Sequence, residues 1–269
     1  CVEFLNYVVE MFNKKGWSLD ASVGYAQKNN LFSTDEMVCT KTLYNYVDLG
    51  ILPIKNIDLP EKLKRNTKSS STRKNRKILG KSIEERTETV NLREEFGHWE
   101  IDSVLGKKKD TEPAIMTIVE RKTRMSLWIK IKDHSSMAID EALQSLINRF
   151  GTKKSEVFKS ITGDNGSEFA NLSNIENNGI SVYFTHPYTS CEKGTNECHN
   201  KMLRRFIPKG KSIDDYSAED ILFFSDTING LPRKILNYHT PEELFDNQLD
   251  RIYAVSYTHL RAHETEADL

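Results

Sequence analysis

No run of apolar residues in this 269-residue sequence approaches the roughly eighteen that a membrane-spanning helix requires. The first residues also lack the basic and apolar regions of a secretory leader. Cysteine is scarce. Cys1, Cys39, Cys191 and Cys198 form no CxxC pair, which argues against a disulfide framework and against a paired-thiolate zinc site, even with His199 next to Cys198. No glycine-rich phosphate loop is present, so use of a nucleoside triphosphate is not expected. What remains, 29% charged and 38% hydrophobic, is the composition of an ordinary globular chain with no membrane partner. The sequence opens on Cys1 rather than Met, and we read it as a piece whose true start lies upstream.

Net positive charge is lacking too, since the formal total is −1. That total hides a segregation. Lys62 to Lys81 holds nine basic residues and no acid, and setting that stretch aside takes the remainder from −1 to −10. Segregated positive charge is what binding to phosphate needs. Between Asn66 and Asn75 lie seven Ser, Thr or Asn residues and nothing large, so no core can form there. Residues 55–92 therefore read as a basic tethering arm, with Lys68, Arg73, Lys74, Arg76, Lys77 and Lys81 as candidate DNA contacts. The alternative is a solvated linker that binds nothing.

Before the arm, residues 1–54 read as a small helical domain, cut short at its start. Val2, Leu5, Val8, Val9 and Phe12 recur at helix spacing, and Gly16 suits a terminus. Ser33 with Glu36 reads as a capping box, and Thr40 as the cap of a second short helix carrying Leu43, Tyr44 and Val47, closed by Gly50. Two short helices with a tight connection suit a helix-turn-helix, and equally a small bundle without DNA contact.

After the arm the pattern changes to strands. His98–Leu105 alternates, with Trp99 and Ile101 on one face and Glu100 and Asp102 on the other. Ala114–Val119 is continuously apolar, as in a strand covered on both faces, and Met125–Ile131 alternates again after a polar hairpin. A clear amphipathic helix follows through Ile139, Leu143, Leu146 and Ile147, with Ser135 or Ser136 as its cap. Short strands near Lys159–Thr162 and Ile180–Phe184 come next. Helices are expected over Gly194–Phe206, Ala218–Asn229 and Pro241–Asn247. The first of these places Cys198, Met202, Leu203 and Phe206 on its apolar side, and Glu197, Asn200, Lys201 and Arg204 on the other. The order is that of a mixed α/β fold.

Three acids stand in distinctive settings. Asp102 lies on the polar face of its strand, Asp164 follows a strand within Thr162-Gly163-Asp164-Asn165-Gly166, and Glu197 lies early in a helix. Hard divalent cations bind few carboxylates and keep the rest of their shell for water and phosphate oxygens. Three acids from separate elements suffice for two such ions.

Gly97-His98-Trp99-Glu100-Ile101-Asp102, Thr162-Gly163-Asp164-Asn165-Gly166-Ser167-Glu168-Phe169 and Gly194-Thr195-Asn196-Glu197 resemble the three acidic motifs of DDE transposases. Leu203–Gly210, Leu231–Leu236 and Thr240–Phe245 narrow the resemblance to the bacterial insertion sequence thirty family, and Thr42–Tyr46 resembles that family's second DNA-binding helix. Cys198 and Lys201 depart from the family pattern, which has Asn and Gly there. The resemblance implies an RNase H-like, retroviral-integrase-like catalytic domain over 93–254. It implies Asp102, Asp164 and Glu197 as catalytic residues and ligands of two Mg²⁺ or Mn²⁺ ions. It also implies terminal inverted repeats and target DNA as partners, and Arg204 matches a basic position of the family; because no acid interrupts Cys198–Ile213, Lys201, Arg204, Arg205, Lys209 and Lys211 read as further DNA contacts. A homo-oligomer assembled on DNA ends and a bacterial cytoplasmic, nucleoid-associated setting complete the expectation. A nuclease of the same fold, or a truncated copy that only binds DNA, are the alternatives. The tail 256–269 matches nothing in the family and reads as non-native or disordered.

Overall fold

The computed structural model describes residues 1–59, 79–107, 112–186 and 194–266, with side chains as far as 254. The basic residues Lys68, Arg73, Lys74, Arg76 and Lys77 lie outside the described residues. Two compact units emerge, one formed by Cys1–Lys74 with Gly230–Pro241, the other by Asn75–Asn229 with Glu242–Leu269.

The first unit is built on α1 (Val2–Lys15), α2 (Leu19–Lys28) and α3 (Thr40–Asp48). Phe4, Val8, Leu19, Val23, Leu43 and Val47 form its core, joined by Leu52 and Ile54. Gly16 ends α1 in the left-handed conformation, and the Ser18 side chain caps α2 by accepting from the Ala21 amide. The sequence pattern does not reveal α2. Leu19, Ala21, Ser22, Val23, Gly24 and Ala26 are all buried, so the helix is covered on several sides and shows no polar stripe. Ser33 and Glu36 do bond (2.8 Å between Ser33 Oγ and Glu36 Oε2), but they close a turn rather than start a helix. Residues 29–39 separate α2 from α3, a longer connection than the tight one expected.

In the second unit, residues 79–92 are docked rather than free, which corrects the reading of the arm at that end. Ser82 pairs with Phe184, the Phe184 amide donates to Lys81 O, Ile83 is buried, and so is Val90 of α4 (Glu88–Leu92). Next come β1 (His98–Leu105), β2 (Ala114–Glu120) and β3 (Ser126–Ile131), antiparallel in sequence, then α5 (Ser136–Asn148). The short α6 (Lys154–Val157) leads into β4 (Ser160–Gly163), and β5 (Ser181–Phe184) follows. β4 lies parallel to both β1 and β5, so the sheet order is β3-β2-β1-β4-β5. The chain ends with α7 (Gly194–Phe206), α8 (Ala218–Asn229) and α9 (Pro241–Glu266).

Helices cover both faces of the sheet. α5 packs Ile139, Leu143 and Ile147 into the large core, where Phe245 of α9 meets Trp99 edge-on at 5.8 Å. α7 and α8 cover the other face. Ser126, whose neighbours suggested an outward polar side, is fully buried there, and Ser225 and Asn229 of α8 donate to its carbonyl. A mixed five-stranded sheet between helical layers is the RNase H-like plan, as the motifs implied. The backbone of 255–266, read as a tail outside the fold, continues α9.

Candidate active site

β1 sends Trp99 and Ile101 into the core and turns Glu100 and Asp102 to the α7 face. The Asp102 carboxylate is partly exposed. Its Oδ1 accepts from the Ser103 amide (2.9 Å) and its Oδ2 from Asn200 Nδ2 (2.7 Å). Asn200 in turn accepts from Thr117 Oγ1 of β2 at 3.2 Å.

Asp164 stands just past the end of β4, and its Oδ1 accepts from the Gly166 amide (2.9 Å). The Glu168 carboxylate folds over Gly166, and a Cβ there would lie 2.3 Å from it, so a larger residue would push that carboxylate aside. The last paired residues of β1 and β4 are Glu100 and Thr162, so Asp102 and Asp164 each stand two positions beyond. They leave neighbouring parallel strands at the same end of the sheet. Asn165 bonds both to the Leu79 amide (3.0 Å) and to Thr185 O (2.5 Å), tying the docked 79–92 segment to this end.

Glu197 is exposed on the first turn of α7 and pairs with Lys201 at 3.0 Å. The buried face of α7 is Thr195, Asn196, His199 and Leu203. Cys198, expected on the apolar side, is exposed, because the helix is turned by about one position to seat polar residues on Glu100 and Asp102. Among the described residues no group of three or more His, Cys, Asp or Glu is close enough to hold a metal ion. Asp102 and Asp164 are thus brought to one end of the sheet, while Glu197 is not closed onto them.

Three residues join this end without having been singled out. His134 Nε2 lies 2.7 Å from Ser103 Oγ and 3.2 Å from Glu168 Oε1. The hydrogen bond to Glu168 holds the imidazole above its ordinary value, and the nearby charges of Glu168, Asp164 and Asp102 act in the same direction. Burial alone would push Glu168 up, but the bonds from His134 and Ser103 bring it below the ordinary carboxylate value. Glu168 lies inside the Asp164 motif and was visible there, whereas nothing local marks His134.

The expected phosphate contacts divide. Lys201 pairs with Glu197, and Lys81 pairs with Glu176 at 2.9 Å. Arg204 is half-buried and donates to Leu105 O (2.8 Å), and burial lowers its pKa. Arg205, Lys209 and Lys211 are exposed.

Residues 93–190 match the family model of the integrase core domain. Over 207 residues the chain is 44% identical to the probable transposase for insertion-like sequence element IS1161 of Streptococcus salivarius, covering 77% of this chain and 58% of that protein. It is 32% identical over 170 residues to transposase InsI for insertion sequence element IS30A of Escherichia coli K12, covering 63% and 43%. The chain therefore spans about half the length of these curated relatives. The crystal structure of the catalytic core domain of BIV integrase matches with a TM-score of 0.43 at 19% identity, covering 58% of this chain and 98% of that one. Among the described residues, no helix is long and apolar enough to cross a membrane.

Proposed function

We propose that the chain is a DDE transposase of the insertion sequence thirty family, which binds the terminal inverted repeats of an insertion sequence and catalyses metal-dependent strand cleavage and strand transfer. The observation that carries this reading is the pair Asp102 and Asp164 at the same end of adjacent parallel strands, with the Glu197 helix bonded to Asp102 through Asn200.

Asp102, Asp164 and Glu197 are the proposed holders of two Mg²⁺ or Mn²⁺ ions. Partly exposed carboxylate oxygens are the right donors for a hard cation. Lys201 is little obstacle, since an exposed helix pair one turn apart contributes about 0.3–0.5 kcal/mol. Bound there, two divalent ions supply charge stabilisation for the entering and leaving oxygens of a phosphodiester. The chain's own groups orient the reactants. Asn200 and the Ser103 amide fix the Asp102 carboxylate, and the Gly166 amide fixes that of Asp164. In cleavage, the water oxygen forms a bond to phosphorus, leaving a 5′-phosphate, as the bond from phosphorus to the 3′ oxygen breaks and frees a 3′-OH. Transfer then forms a new P–O bond from that hydroxyl as a target P–O bond breaks. Exposed Arg205, Lys209 and Lys211 are suited to phosphate, as is the basic arm. We assign recognition of the ends to the helical segment 1–54 and assembly on those ends to a homo-oligomer.

Incubating the chain with labelled terminal-repeat DNA and Mg²⁺ or Mn²⁺, and resolving nicked from joined products, tests the reading. Asp102→Ala, Asp164→Ala and Glu197→Ala should each abolish both products while DNA affinity and cooperative unfolding persist. Near wild-type cleavage by any folded variant would remove that residue from the site. Nicks without joined products would indicate a nuclease.

A further inference from the structure

β1 carries a second carboxylate that faces α7 and has no part in the chemistry above. Glu100 is fully buried, and its neighbours are an arginine and a helix start. Oε1 accepts from Arg121 Nη1, and Oε2 accepts from the Asn196 amide at 3.1 Å. Asn196 is in the first turn of α7, where backbone N–H groups have no partner within the helix and the helix dipole favours negative charge. Glu100 therefore caps α7 from the neighbouring strand.

The spacing makes this cap a ruler. Asn196 and Asn200 are four residues apart on α7, a rise of about 6 Å. Their partners, Glu100 and Asp102, are two residues apart on β1, about 6.6 Å. The two backbone spacings are close, so the Asn196 amide and the Asn200 side chain reach both carboxylates together in this axial position. Glu197 lies between the two contact points. The hairpin turn between β2 and β3 braces the same start. Arg121 Nε also donates to Val90 O (3.2 Å), and Arg124 Nη1 donates to Thr195 Oγ1 (2.9 Å). His199 Nε2 lies 3.2 Å from Arg124 O. Burial holds both guanidinium groups below their ordinary value, Arg124 at about 10, and the charges of Glu100 and Glu120 act against that effect.

We propose that Glu100 is a positioning residue: it sets the axial register of α7 on β1, and with it the reach of Glu197, with Arg121 and Arg124 as braces. This rests on the reading of Glu197 as the third carboxylate of the site. Glu100 touches no reacting atom. An apolar pair of similar size would fill the space without fixing a register, which is what a bonded buried charge adds here.

Three measurements on the full chain test it: amide hydrogen exchange, Mn²⁺ affinity from a spin-resonance titration, and affinity for terminal-repeat DNA. In Glu100→Gln, exchange over 194–200 should accelerate roughly tenfold or more while β1–β3 stay protected. Mn²⁺ affinity should fall about 10–100-fold, as for the loss of a bond that orients a ligand. DNA affinity should not change, which separates positioning from general damage. Thr195→Val removes one hydroxyl and should move the same readouts in the same direction, with Thr195→Ser restoring them. If Glu100→Gln fails to fold, the Thr195 pair decides. Unchanged exchange over 194–200, or unchanged Mn²⁺ affinity once α7 has loosened, would overturn the proposal. A wild-type Mn²⁺ affinity no higher than that of Asp102→Ala would instead overturn the reading of the acids, and the proposal with it.

Discussion

Asn200→Asp turns the bond between α7 and β1 into a repulsion with almost no change of shape. In the wild type, Asn200 Nδ2 donates to Asp102 Oδ2 at 2.7 Å. The variant places a second carboxylate there. Losing a hydrogen bond to a charged group costs about 1.5–3 kcal/mol. Two like charges about 4 Å apart repel by roughly 4 kcal/mol at an effective dielectric constant of 20. Rotation of partly exposed side chains relieves much of this, so a net loss near 3 kcal/mol is expected, or a fall of about 6–12 °C in Tm for a unit of this size. The sign with pH follows from linkage. One carboxyl of the pair is raised above its unfolded value, so the folded state holds the extra proton. The deficit is absent at pH values below about 4, where both carboxyls are protonated in either state, and grows as pH rises through that raised value. Thermal unfolding of both proteins from pH 4.5 to 8, with and without Mn²⁺, is the assay. On the proposed reading, Mn²⁺ at the site offsets the repulsion and narrows the gap at pH 8. Equal Tm values at pH 8 without metal, or a gap that shrinks as pH rises, would refute the reasoning.

Deleting 66–77 should weaken binding to specific and random DNA alike and flatten log affinity against log salt by about two to four units, roughly 0.9 per lost contact; an unchanged slope identifies a solvated linker. The deletion stops short of Leu79 because that residue is bonded to Asn165. Gly24→Ala would ordinarily stabilise a helix by about 1 kcal/mol. Here the new Cβ would lie 2.1 Å from the Tyr238 ring, so a net loss of about 1–3 kcal/mol is expected in chemical denaturation, and a gain instead in a Tyr238→Ala background. His134→Ala should lower Tm by about 1–4 °C at pH 6 and by less at pH 8.5. The His134 contribution is complete below its ordinary 6.5 and is lost as pH rises through its higher folded value. Glu168 adds an opposite limit: its share is present above 4.5 and is lost as pH falls through its lower folded value.

β1 and α8 were legible from sequence to their ends because each has one face against a core and one that differs, and that contrast is what periodicity records. α2 escaped for the opposite reason. It is buried on several sides, and Gly24 within it is the notch that takes the ring of Tyr238. The docked segment 79–92 was hidden by the basic run before it. Its Ile83 and Val90 are too few to make a pattern, and the segment is held by contacts distant in sequence, Ser82 pairing with Phe184 and Val90 O accepting from Arg121.

The same division runs through the site. Sequence alone determined which acids stand at element ends, because a Gly-Asp-Asn-Gly turn after a strand and an acid on a strand's polar face are local facts. Only the tertiary structure decided which neighbours hold them. Glu100 meets the Asn196 amide across 96 positions and Asp102 meets Asn200 across 98, and neither pairing leaves a local signature. A strand pattern puts Glu100 and Asp102 on one face, and a helix pattern relates Asn196 to Asn200. That the two spacings coincide, and so lock Glu197 in place, is a property of two elements packed together.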